Sequence, residues 1–112
     1  MLRVVTTAPA LAIPTWMVQL EAGFTGPGRP APGADELEPM VELLYRTEGV
    51  CSVAVMPRLS GLAVAVGLSA PDATTAMERA RTLVVSCARY AGLGAIAIDQ
   101  ARVTPRPDTA RA

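Results

Sequence analysis

The chain has no histidine and no lysine among its 112 residues. Without histidine it lacks the commonest general base, the commonest transition-metal ligand and the side chain that changes charge near neutral pH. The hydroxyls of Ser52, Ser60, Ser69 and Ser86 therefore have no imidazole to activate them. Cysteine is scarce as well. Cys51 and Cys87 are too few for a disulfide scaffold and not at chelating spacing, and both are expected to be buried apolar fillers. The aromatic residues are Trp16, Phe24, Tyr45 and Tyr90 alone, so alanine, valine, leucine and methionine must fill the interior.

Long apolar runs are missing too: none reaches the ~18 residues needed to span a bilayer. Residues 1–14, MLRVVTTAPALAIP, have one arginine, an apolar run and an Ala-x-Ala look. Pro9 and Pro14 break that run, and a strand follows it, so an export signal is not expected and the cytoplasm is the expected location. A surplus of charge is the last absence. Ten arginines balance ten acidic residues, which leaves no net field to attract a nucleic acid or a membrane surface. The all-arginine basic set with abundant Ala, Pro and Gly matches a GC-rich coding sequence, a matter of codon use and not of physics.

What is present points to a folded domain. Half the residues are apolar (51%) and only 18% are charged, a balance that fits a chain with a packed core and not a disordered one. The organising stretch is residues 50–70, VCSVAVMPRLSGLAVAVGLSA. Val53 and Val55, then Leu62, Val64, Val66 and Leu68, alternate with Ser52, Ala54, Ala63, Ala65 and Gly67. A period of two marks strands with two different faces, and residues 57–61, PRLSG, supply a turn at hairpin spacing.

Upstream, Trp16, Val18, Leu20, Ala22 and Phe24 alternate with Met17, Gln19, Glu21 and Gly23 in a first strand. Residues 25–34, TGPGRPAPGA, form a mobile loop by composition. A first helix is expected from Asp35 as N-cap, with Pro39 held to its first turn and Leu37, Met40, Val41, Leu44 and Tyr45 as its apolar stripe. Gly49 is placed to end it. Residues 69–72, SAPD, resemble a capping box with Pro71 near the first helical position and open a second helix at Ser69 or Ala70. Its inner face runs through Ala73, Ala76, Met77, Ala80, Val84, Cys87, Ala88 and Ala91, with Gly92 and Gly94 to close it. A last strand carries Ile96 and Ile98 inward. The predicted elements are strands near 15–24, 50–58, 61–70 and 94–104 and helices near 36–48 and 71–91.

These faces predict an α+β fold, a ferredoxin-like βαββαβ sandwich in which a four-stranded antiparallel sheet, spatial order 4-1-3-2, carries two helices on one face. The domain spans 15–104, after an extended arm over 1–14 and before a disordered tail over 105–112.

The second face of the sheet carries the functional expectation. It presents Met17, Gln19, Ala54, Met56, Ala63, Ala65, Gly67, Ala95 and Ala97, with Ser52, Arg58 and Ala101, and is neither charged like a solvated face nor bulky like a second core. A contact surface for another chain, a second copy first of all, is the expected use. Glu21, Arg58 and Asp99 form a candidate polar ligand site there. Several chemistries of such a sheet are excluded by residue type. Base stacking needs aromatics on the central strands, and thiolate metal transfer needs paired cysteines. A phosphate cradle after the first strand needs backbone donors that Pro27, Pro30 and Pro32 remove.

Two functions remain. One is a small self-associating, homodimeric binding or regulatory module, non-catalytic and able to take a small-molecule ligand. The other is a small cofactor-independent enzyme of the dimeric α+β barrel type, its cleft lined by Gln19, Glu21 and Asp99, two carboxylates dividing acid and base roles. Neither needs a cofactor or a metal.

Overall fold

A computed structural model describes residues 13–26 and 32–106. The expectations for residues 1–12, 27–31 and 107–112 lie outside the described residues. Strand β1, Thr15–Phe24, and the hairpin strands β2, Val50–Arg58, and β3, Gly61–Ser69, appear where alternation places them. Strand β4 is Ile96–Pro105. The strands form one antiparallel sheet in the order β2-β3-β1-β4. Helices α1, Ala34–Tyr45, and α2, Ala73–Tyr90, complete the βαββαβ chain order. Among the described residues no helix is long and apolar enough to cross a membrane.

Both helices cover one face of the sheet. Val18 and Leu20 of β1 and Leu62, Val64, Val66 and Leu68 of β3 lie in a single buried cluster with Leu37, Met40 and Leu44 of α1 and Ala76, Ala80, Val84, Cys87 and Ala88 of α2. Small residues on the inner face of α2 let it approach the sheet closely, which offsets the shortage of aromatic filler. Trp16, half-buried at the sheet end, donates its indole N–H to the carbonyl of Ala70 at 2.9 Å.

The ends of the helices differ from expectation in instructive ways. Gly33, not Asp35, caps α1: its N–H donates to Glu36 Oε1 at 2.9 Å, and Glu36 N–H donates back to Gly33 O at 3.0 Å. Pro39 therefore stands inside the helix, on its exposed side, where its missing N–H removes one ladder bond. The helix stops at Tyr45, which stays 53% exposed beyond the buried stripe. Gly49 does adopt a positive φ of 91°, but in the turn that feeds β2 and not at the helix end. α2 begins later than the expected Ser69 or Ala70: Ser69 closes β3, and Asp72 is the cap, accepting Thr75 N–H at 2.8 Å.

The close of α2 is a complete Schellman motif. Gly92 at φ 86° donates to Arg89 O at 3.0 Å, and Leu93 N–H donates to Ala88 O at 2.9 Å. Leu93 is thereby folded under the helix and buried. The hairpin turn is tighter than its five candidate residues imply. Leu59 and Ser60 alone make it, Ser60 at φ 62°, and Pro57 sits in the edge strand, where a missing donor faces no neighbour.

Candidate functional site

The uncovered face of the sheet is ordered into four cross-strand rows by the pairing register. The first row is Ser52–Gly67–Met17–Thr104 and the second Ala54–Ala65–Gln19–Arg102. The third is Met56–Ala63–Glu21–Gln100 and the fourth Arg58–Gly61–Gly23–Ala97. The two middle rows divide sharply: the β2–β3 half is alanine and methionine, and the β1–β4 half is amide, carboxylate and guanidinium.

A bulge in each edge strand sets this pattern. In β4 the register shifts between Glu21 and Ala22, so that Ile98 faces Ala22 while Gln100 faces Glu21. Asp99 is the extra residue, and its Oδ2 lies 3.9 Å from where a Cβ on Gly23 would stand. Beyond the bulge the faces exchange, so Arg102 joins the open face and Ala101 pairs with the inward Leu20. The expectation that Ala101 lies on the open face is corrected by this shift. In β2 a matching shift falls between Val50 and Ser52. It turns Cys51 outward beside Ser52, exposed to solvent, whereas Cys87 is buried as expected.

Arginine side chains bridge the first and last rows. Arg58 Nη1 donates to Glu21 Oε1 at 2.6 Å, passing over β3 from β2 to β1. Both groups are more than two-fifths exposed, so the pair is worth at most about 1 kcal/mol and serves mainly to hold position. At the other end Arg106 N–H donates to Thr15 O at 2.9 Å. The Arg106 guanidinium reaches over Gly67 to Cys51 Sγ at 3.2 Å and Ser52 Oγ at 3.3 Å. Pro105 is the last residue of β4, so residues 105 and 106 are anchored and do not belong to a frayed tail.

The anticipated interface residues fall as follows. Met17, Gln19, Ala54, Met56, Ala63, Ala65 and Ala97 share the open face, with Met56 59% exposed. Gly67 is buried beneath Arg106. Ala95 precedes β4 and acts through its carbonyl, which accepts Thr25 N–H at 3.1 Å and Thr25 Oγ1 at 3.3 Å. Of the polar trio, Glu21 and Arg58 are joined, while Asp99 stands apart in its bulge. Glu21 and Asp99 are not cross-strand partners, since Gln100 takes that place.

Between the two arginine bridges lies a concavity of about 480 Å³, floored by Ala54, Ala63 and Ala65 and then by Gln19 and Glu21, and walled by Met56 on one side and Gln100 and Arg102 on the other. Sequence reasoning missed Arg102, Gln100, Cys51 and Arg106. The signal for the first two was legible: inward apolar residues run 96, 98, then 101 and 103, a change of phase that a regular strand cannot give.

Among the described residues no group of three or more His, Cys, Asp or Glu is placed to hold a metal ion. No protein-family model matches the chain, and neither a curated protein nor a solved structure matches it.

Proposed function

We propose that the protein is a ferredoxin-like binding module that pairs with a second copy of itself through the open sheet face. The observation that carries this reading is the uncovered apolar half of the two middle rows, Ala54–Ala65 and Met56–Ala63. It bears no charge to hold water, and at its three alanines no bulk to fill space. The βαββαβ order and the β2-β3-β1-β4 sheet support the fold assignment. Size supports the pairing. A four-stranded sheet of this length presents about 600 Å² of flat face, close to the ~800 Å² each partner gives to a stable interface. Met56 and the two arginine bridges stand above the alanine floor and would meet the partner first.

The position of Glu21 favours binding over catalysis. A general base must be free to take a proton, and Glu21 is held by Arg58 while its expected partner carboxylate lies elsewhere. The reading is tested by methyl NMR over a concentration series. Ala54, Met56, Ala63 and Ala65 methyl resonances should shift with concentration while Ala80 and Ala88 in the core stay fixed. Open-face methyls that never move would count against pairing.

A further inference from the structure

We infer that the concavity on the open face binds a small amphipathic anion, a flat apolar body bearing one carboxylate or sulfonate. This rests on the reading of that face as a binding surface and names what it takes besides a second copy. Three features converge. The volume, about 480 Å³, falls in the range of small-molecule sites, about 300–1,000 Å³. The β2–β3 half of the floor, Ala54, Ala63 and Ala65, is apolar and suited to a ring system, and the β1 half beside it carries Gln19 and Glu21.

Charge decides the sign. The face carries Arg58, Arg102 and Arg106 against Glu21 and Asp99. Glu21 is taken by Arg58, Arg106 is turned to Cys51 and Ser52, and Asp99 stands in its bulge outside the lining of the concavity. Among the described residues Arg102 has no carboxylate partner, and it lines the concavity at the end of the Ala54–Ala65–Gln19 row. A guanidinium across Gln19 from an apolar shelf offers a forked donor for a planar anion whose body lies on the shelf. Glu21 would repel that anion, so the anionic group belongs at the Arg102 row and the apolar body over Ala54 and Ala65. A second copy closing over the rim would exclude water and strengthen the charge contact.

The test uses two dyes that share a ring system: anilinonaphthalene sulfonate and the neutral phenylnaphthylamine. Wild type should bind the sulfonate about tenfold more tightly or better, the size of one charge-assisted hydrogen bond. Arg102→Gln should lose about that factor for the sulfonate and leave phenylnaphthylamine binding unchanged, with Arg102→Lys in between. Ala54→Leu, which fills the floor, should weaken both dyes. Circular dichroism melts establish that each variant is folded. Equal affinity of wild type for the two dyes, no binding of the sulfonate, or a sulfonate affinity indifferent to Arg102→Gln would overturn the inference. Sedimentation of the same samples reports pairing separately, so a monomer that binds the sulfonate through Arg102 would refute pairing and leave this inference standing.

Discussion

Arg106 lies over Gly67 so closely that a Cβ added to the glycine would stand 2.9 Å from Nη1. The same Cβ would meet Ser52 Oγ at 2.4 Å and Cys51 Sγ at 3.2 Å. The missing side chain is what lets a guanidinium from the end of β4 cross to β2. All three atoms belong to side chains, which can turn away.

Gly61 is different in kind. A Cβ there would lie 2.1 Å from the backbone oxygen of Ala22, and only a shift of the β1–β3 pairing could relieve it. Gly61→Ala should therefore cost more than about 2 kcal/mol, whereas Gly67→Ala should stay within about 1 kcal/mol. Urea unfolding of the two variants measures this. A larger loss for Gly67→Ala than for Gly61→Ala would contradict the described packing.

The cysteines should separate cleanly in thiol labelling. Cys51 is exposed at the edge of the sheet, and Cys87 lies in the core, where burial raises its thiol pKa above the ordinary cysteine value. One thiol per chain should react fast in the native protein and the other only on unfolding. Cys51→Ser should remove the fast phase. If the fast phase survives that substitution, the outward placement of Cys51 is wrong.

Asp72 should give the fold an acid-sensitive contribution. The Thr75 N–H bonded to its carboxylate holds its pKa below the ordinary aspartate value. A depressed folded-state pKa contributes stability that is complete above the unfolded value and lost as pH falls through the folded one. The melting-temperature gap between wild type and Asp72→Ala should thus be constant near neutrality and shrink below the ordinary aspartate range. A gap that stays constant into strong acid would exclude the cap as its source.

Most of the fold was legible because its signals were local and repeated. Val18, Leu20, Leu62, Val64 and Val66 alternate without interruption, and all five are buried. The misses have a common cause, which is that one residue of register changes everything beyond it. The bulge at Asp99 carried Arg102 onto the open face, and the bulge at Cys51 turned outward a residue whose type favours burial. Leu93 was hidden differently. Its burial depends on the left-handed turn at Gly92, and a lone leucine between two glycines reads as loop. Residue type suggested nothing for Arg106 after Pro105, because its partners are 54 and 55 residues away in sequence.

The central claim is that the open face meets a second copy, and sedimentation of wild type beside Ala65→Arg tests it most directly. Ala65 sits in the middle of the second row on the central strand β3, so an arginine there would point away from the helices. In a paired molecule two such charges would be enclosed between the sheets and stripped of their hydration, which disfavours pairing. The account predicts a wild-type dimer at tens of micromolar and a folded, monomeric Ala65→Arg. A wild type that is monomeric there, or a variant that sediments as the wild type does, would contradict it.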